Sequence, residues 1–370
     1  MIRYPYATSK LEQLDRVAVN RVLDRNYLTR GVEMQALEER MCDISGKKYA
    51  VAMCNATVAL WAVVKALSLN KLWTTTLTYS AIGNAAALAH QPYIRFVDVD
   101  VDTLCGVMPE TWNGVDDAIY APMDYAGYPS LERPIPGAWK GDGLTYSGSF
   151  TLLDAAHSIG GKLADGKSNT YYADAAVYSL HPCKPITSGE GGIVVTDDQN
   201  LMLELKQFRN NGFRPGTHTQ TGVGINGHMP ELSCALGLSQ SLRLNSLIAT
   251  RHAIAQVYYS HWQNDLRVIL PAYHSGHVFH LYVIRLSEAV DCDIETFRAE
   301  LEKVGVGTQR HYRPLHTQPV YRVTDDINYP IAQHAYNRMI SIPMYVGLEL
   351  NDIRFITNSI DRLLDKYATR

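Results

Sequence analysis

The chain has 370 residues, 46% of them apolar and 19% charged, ordinary globular usage that excludes a disordered chain. Lys and Arg total 34 against 37 Asp and Glu, a net charge of −3, so no bulk field draws it to nucleic acid or an anionic membrane. At roughly 100–200 residues per domain, the length predicts two or three packed units. Six cysteines, at 42, 54, 105, 183, 234 and 292, show no Cys-x-x-Cys spacing. That argues against a zinc site or a disulfide framework and for a reducing compartment. The first residues carry no apolar leader core, and no apolar run approaches the ~20 residues that span a bilayer. A cytoplasmic protein is the expectation.

Leu11, Leu14, Ala18 and Val22 recur at helical steps, which predicts a first amphipathic helix. Thr29-Arg30-Gly31 breaks it, and Met34, Leu37 and Met41 mark a second. Tyr49 to Met53 reads as a strand, followed through Cys54-Asn55-Ala56 by an apolar helix from Thr57 to Val64. Further strands are expected at Lys71–Leu77, Tyr93–Val97, Ala118–Ala121, Thr151–Leu153, Ala175–Tyr178 and Gly192–Val195, with a helix over Ala81–Ala89. Strands alternating with helices predict an α/β fold with a mostly parallel sheet. Gly and Pro crowd residues 127–149, which reads as an extended surface loop. Beyond about residue 245 the texture changes. A helix from Leu247 to about Trp262, strand candidates over 278–286, a helix near 294–304 and a closing helix over 351–368 predict a smaller α+β domain. The division expected is 1–246 and 247–370.

Three segments carry chemistry. In Tyr178-Ser179-Leu180-His181-Pro182-Cys183-Lys184-Pro185, a lysine lies just beyond a buried strand, where an open α/β sheet places its ligands. A partly desolvated lysine there loses its proton readily and can form a Schiff base with an aldehyde cofactor. Asp154 ends another apolar strand. Its carboxylate would either cap a helix or hold a pyridinium nitrogen protonated, as pyridoxal phosphate requires. Asn55-Ala56-Thr57 opens an apolar helix, whose first N–H groups with a threonine hydroxyl make a seat for phosphate.

Together these segments resemble the nucleotide-sugar aminotransferases of the DegT/DnrJ/StrS family, and the resemblance runs nearly end to end. Tyr27-Leu28-Thr29-Arg30-Gly31 is similar to the family's early loop. Thr78-Tyr79-Ser80 is similar to its ring-stacking segment, and Asp154-Ala155-Ala156-His157 to its pyridinium-aspartate segment. His181-Pro182-Cys183-Lys184 is similar to its cofactor-lysine segment. Gly224-Ile225-Asn226-Gly227-His228 resembles a loop lent to a neighbouring subunit, and Gln309-Arg310-His311-Tyr312 a substrate segment. The resemblance implies a fold-type I pyridoxal phosphate (PLP) transferase, with a large domain built on a mostly parallel seven-stranded sheet and a smaller α+β C-terminal domain. It implies that Lys184 carries the cofactor and moves the proton, that Asp154 pairs with the ring nitrogen, and that His157 meets the ring hydroxyl. Tyr79 would stack on the ring. Ala56, Thr57 and Ser179 would bind the phosphate, with Asn226 reaching in from the partner of a homodimer with shared active sites. Thr29, Tyr6, His311 and Tyr312 would line the substrate pocket. The implied reaction takes an amino group from glutamate to a keto-sugar on a nucleoside diphosphate. The branch it most resembles aminates position 4 of a UDP-linked sugar; a 3-keto-sugar enzyme and a non-catalytic PLP-binding homologue are the alternatives.

The chain also departs from that pattern. Leu69-Asn70-Lys71-Leu72-Trp73 replaces a Gly-Asp turn, His228 stands where Arg is usual, and residues 130–149 do not match an expected helix. His274, His277 and His280 invite a metal reading. If His277 to His280 is strand, that step puts those two on opposite faces, so no metal is expected and His280 reads as a packed residue. Glu190 reads as a turn residue that satisfies backbone N–H groups. Cys183 reads as a small packed side chain, and Arg310 and Arg313 either meet a diphosphate or stay on the surface.

Overall fold

The computed structural model describes residues 2–69, 71–89, 93–107, 117–134, 140–141, 146–147, 149–321 and 328–369. Asn70 of the replaced turn lies outside the described residues, and so do residues 135–139, 142–145 and 148 of the Gly/Pro-rich stretch. The helices are α1 (Gln13–Arg25), α2 (Val32–Ser45), α3 (Ala56–Leu67), α4 (Ala81–Leu88), α5 (Gln199–Arg209), α6 (Glu231–Ser241), α7 (Leu244–Trp262), α8 (Ile294–Lys303), α9 (Pro330–Arg338) and α10 (Leu350–Lys366). The strands are β1 (Tyr49–Met53), β2 (Lys71–Thr75), β3 (Tyr93–Val97), β4 (Ala118–Ala121), β5 (Lys140–Gly141), β6 (Tyr146–Ser147), β7 (Ser149–Asp154), β8 (Ala175–Ser179), β9 (Gly192–Thr196), β10 (Val268–Ile269), β11 (Tyr282–Leu286) and β12 (Met339–Ile342).

Seven strands form one sheet in the order β1-β9-β8-β7-β4-β2-β3. Strand β9 runs against both neighbours, and the other pairings are parallel. Strands β4, β7, β8 and β9 are buried along their whole length, as a sheet covered on both faces requires. On one side α3 buries Leu60, Val63, Val64 and Leu67, each contributing about 1.5–3 kcal/mol by leaving water. Asn55 starts α3 by accepting from the Val58 N–H at 2.9 Å. A second, antiparallel sheet of β10, β11 and β12 packs with α7, α8 and α10 around Tyr258, Trp262, Phe297 and Ile356.

Residues 127–131 of the expected surface loop are largely buried, with Leu131 in the core, and two further elements differ. In α1 the inner face holds Asp15, Ala18 and Val22, while Leu11 and Leu14 stay exposed. Asp15 displaces the leucines because its burial is satisfied. Ser239 Oγ (2.7 Å), Gln240 Nε2 (2.8 Å), Arg243 Nη2 (2.6 Å) and the Glu12 N–H (2.8 Å) all donate to it. Burial alone would raise its pKa, but these donors hold it below the usual value. The strand expected from 278 begins only at Tyr282. Residues before it bond to a loop of the large sheet instead, Val278 N–H to Gly127 O (2.9 Å) and Leu281 N–H to Ala126 O (3.2 Å).

The start of α3 is pressed onto the start of β9. A Cβ on Gly192 would lie 2.4 Å from the Asn55 carbonyl carbon and 2.5 Å from the Ala56 nitrogen. Backbone cannot yield as a side-chain tip can, so Gly192→Ala should lower stability by about 1–3 kcal/mol, read as a reduced midpoint in urea unfolding. An unchanged midpoint would mean that the two segments slide apart at no cost.

Candidate active site

The carboxyl edge of the large sheet gathers the chemical groups. Asp154 ends β7, Ser179 ends β8, and Asn55-Ala56-Thr57 follows β1. With residues of the second sheet's side they line a cavity of about 610 Å³ that includes Tyr6, Tyr79, His157, Lys184, His280, His311 and Tyr312. This is the crevice where open α/β sheets bind their ligands. Ten of the twelve residues named from the sequence therefore meet in one place. Thr29 and Asn226 are exposed and are not part of this lining. Each sits in an isolated bridge, Thr29 with Pro230 and Asn226 with Asn210. Nearby, Asn210 Oδ1 contacts Arg30 Nη1 (3.4 Å) and His228 Nε2 (3.2 Å).

Lys184 is partly buried. Burial holds its amine below the ordinary lysine pKa, against the smaller pull of Cys183 and Asp154 toward the charged form. Its Nζ meets His280 Nε2 at 3.4 Å. Asp154 is 3% exposed and moves the opposite way, to a pKa of about 6. Burial raises it, while the Ala156 N–H, 3.1 Å from Oδ1, and the Lys184 charge restrain the shift.

His157 is fully buried, and burial drives its pKa well below the usual value, so the ring is neutral. Its Nδ1 accepts from the Ala126 N–H at 3.2 Å, which places the ring proton on Nε2, 2.9 Å from the Tyr312 hydroxyl. His311 is neutral for the same reason, its pKa pushed down to about 3, and its Nδ1 meets Ser341 Oγ at 2.8 Å. The Tyr125 hydroxyl donates to the His311 carbonyl. Aromatic faces enclose the mouth. Tyr79 lies 5.5 Å from Tyr312 between ring centroids, and Tyr6 lies 5.2 Å from His311.

Some residues take roles the sequence did not suggest. Glu190 is exposed on the cavity wall, with its carboxylate 3.8 Å from His181 Nε2. Arg310 lines the cavity but bonds Glu295 at 2.6 Å and stacks on Tyr336 at 3.5 Å. Arg313 bonds Thr317 at 3.1 Å. The three histidines of the 274–280 segment face three settings: His274 meets Glu132 at 3.0 Å, His277 Nδ1 accepts from the Phe279 N–H, and His280 faces Lys184. His280 is packed as expected, and it also lines the cavity beside Lys184. The available signal was a polar residue within the apolar run Val278 to Val283.

The donor set fits pyridoxal phosphate. Asn55 satisfies the Val58 N–H, and among the described residues nothing accepts from those of Ala56 and Thr57 at the cavity wall. Such unused N–H groups at a helix start suit a phosphate. Across the cavity stand an amine able to lose its proton and a buried carboxylate for a ring nitrogen.

Comparison with known proteins agrees. The profile of the DegT/DnrJ/EryC1/StrS aminotransferase family matches residues 9–115 and 145–361, passing over most of the Gly/Pro-rich stretch. A UDP-4-amino-4,6-dideoxy-N-acetyl-beta-L-altrosamine transaminase of Campylobacter jejuni is 28% identical over 377 residues, covering 98% of this chain and 97% of the relative. The structure of Helicobacter pylori PseC, an aminotransferase involved in the biosynthesis of pseudoaminic acid, superposes with a TM-score of 0.86 at 25% identity. It covers 98% of this chain and all of the other. The PLP form of the putative sugar aminotransferase Spr1654 from Streptococcus pneumoniae gives 0.86 at 20% identity over 99% of both chains. The chain thus belongs to the DegT/DnrJ/EryC1/StrS aminotransferase family, as a PLP-dependent transaminase of fold type I.

Proposed function

We propose that this transaminase moves the amino group of glutamate to the 4-keto carbon of a UDP-linked keto-deoxysugar used in glycan synthesis. The observation that carries the reading is the desolvated Lys184 amine facing Asp154 in a 610 Å³ cavity. The relative named for a UDP-4-amino-sugar supports the substrate class. Bound, the cofactor supplies an aldehyde carbon for the amine and a ring that accepts electrons. The chain does the rest. The N–H groups of Ala56 and Thr57 and the Ser179 hydroxyl hold the phosphate. Asp154 keeps the ring nitrogen protonated, and Tyr79 covers the ring face. His157 offers its Nε2 proton to the ring hydroxyl. Lys184 Nζ takes a proton from the substrate carbon and returns it. Tyr6, His311 and Tyr312 orient the sugar and exclude water.

A second copy of the chain completes the site in this proposal, as a homodimer with shared active sites. Thr29 and Asn226 are exposed and off the cavity of their own chain, which supports their use by a partner. Leu14 and Val17 of α1 and the nearby Leu28 are about half exposed or more, which supports a covered face there. The division into a cofactor-carrying part, 1–246, and a C-terminal part, 247–370, belongs to the same reading.

Protein loaded with PLP should show a yellow band that glutamate bleaches, and Lys184→Ala should show neither the band nor the bleaching. Among UDP-, dTDP- and GDP-linked 4-keto-sugars, the UDP compound should restore the band fastest. A band indifferent to glutamate would overturn the reading.

Asp154 gives a pH test. Its raised pKa means that the carboxyl is protonated, and unable to balance a pyridinium, below a pH of about 6. Cofactor affinity should therefore fall as pH drops through that value, by about tenfold per pH unit. In Asp154→Asn the affinity should be low and lack that step, as followed by fluorescence titration. An identical step in the variant would assign it to another group.

A further inference from the structure

His280 is 1% exposed and stands over Lys184, with its Nε2 3.4 Å from Nζ. Its other nitrogen, Nδ1, is buried and has no hydrogen-bond partner among the described residues. The placement is held from several sides. Arg251, 2% exposed, directs one Nη1 at three carbonyls: Phe279 (3.0 Å), His280 (3.3 Å) and Met344 (3.1 Å). The neighbouring N–H groups of Val278 and Leu281 bond to Gly127 and Ala126. Phe279 adopts φ +49°, a left-handed backbone that a non-glycine residue takes only when its surroundings enforce it. The His157 ring closes the remaining side, 4.4 Å away edge to face.

A lysine ammonium has only donors, whereas a neutral amine also has a lone pair. A neutral imidazole can meet either form through one nitrogen, accepting when its proton is on Nδ1 and donating when its proton is on Nε2. With Nδ1 unpartnered, the environment does not fix the tautomer, as the Ala126 N–H fixes that of His157.

We propose that His280 is the positioning residue for the free Lys184 amine: Nζ docks on His280 Nε2 whenever the lysine is not covalently engaged, and the ring switches from acceptor to donor as the amine loses its charge. The ring carries one proton in both states, so the net change is the single proton that the amine gains or loses. The inference deepens the transaminase reading and rests on it for its purpose, since such an enzyme must release its lysine and reuse it in every cycle. The other titratable or charged groups around the pair are Asp154, Cys183, His157, His311 and Arg251.

The first test needs no cofactor. In the apo chain labelled with ¹⁵N-histidine, the His280 signal is assigned by its loss in His280→Gln. Across the titration of Lys184 its pattern should change from Nδ1–H to Nε2–H, and in Lys184→Met it should not change. A tautomer indifferent to pH, or the same change without the lysine, overturns the proposal.

The second test follows the rate at which PLP develops the yellow band in apo protein as pH is varied. His280→Leu removes the acceptor that favours the ammonium, so the midpoint of the rate profile should fall by about one unit, because hydrogen bonds from a charged donor are the stronger ones. His280→Gln, which can both accept and donate, should restore it. Equal midpoints for the wild type and the Leu variant overturn the proposal. A wild type that develops no band at all condemns the transaminase reading, and the tautomer measurement then still decides whether His280 answers to Lys184.

Discussion

The site depends on an amine placed where both water and counter-charge are scarce. Among the described residues no carboxylate lies within ion-pair distance of Lys184, and its amine hydrogen-bonds a neutral imidazole. Desolvation pushes Lys184 toward its neutral form and Asp154 toward its own. The same burial discharges His157, His280 and His311. These five groups on the cavity wall thus carry little net charge between them, so modest differences in hydrogen bonding decide where a proton rests.

Keeping that arrangement requires two sheets to meet in register. The large sheet contributes Asp154, Ser179 and the start of α3 from strand ends, and these positions follow from buried parallel strands. The chain beyond α7 contributes His280, just ahead of β11, and the segment with His311 and Tyr312, which must be brought across a gap. The crossing is made by backbone. Gly127, at φ +100°, lets the 126–127 turn lie so close that a Cβ there would be 3.0 Å from the His157 carbonyl and 3.2 Å from the His280 nitrogen. Arg251 locks the far side with no carboxylate partner among the described residues. Three carbonyl oxygens on one Nη1 replace much of the hydration that its buried charge loses.

Much of this was legible in the sequence. The strands β7, β8 and β9 are apolar runs that end in polar residues, and in β7 and β8 that pattern places Asp154, and Lys184 just beyond Ser179, at one sheet edge. Asn55-Ala56-Thr57 reads directly as a helix start. Two things were not legible, for different reasons. The inner face of α1 depends on Asp15, whose partners Ser239, Gln240 and Arg243 lie more than 220 residues away, and no local periodicity reveals them. His280 lies in a run that looks like strand, and only the bonds of Val278 and Leu281 to the opposite turn take it out of the sheet. Sequence period reports local geometry, while both of these placements are decided by distant partners.

The cavity wall also sets how a charged substrate is recognised. Of the residues lining the cavity, Lys184 and Arg310 are those with a basic amine or guanidinium. Arg310 is engaged by Glu295 and Tyr336, and freeing it would strip a mostly buried guanidinium of its partners. His311 is neutral and therefore attracts an anion only by hydrogen bonding. The described wall consequently offers ring faces, hydroxyls and neutral imidazoles more than positive charge. Such a surface discriminates by shape and by the match of donors to acceptors, because a sugar hydroxyl left unmatched in a desolvated pocket costs more than a matched one gains. Among the lining residues, the positive charge not already engaged by a carboxylate is that of the one amine that has to change it.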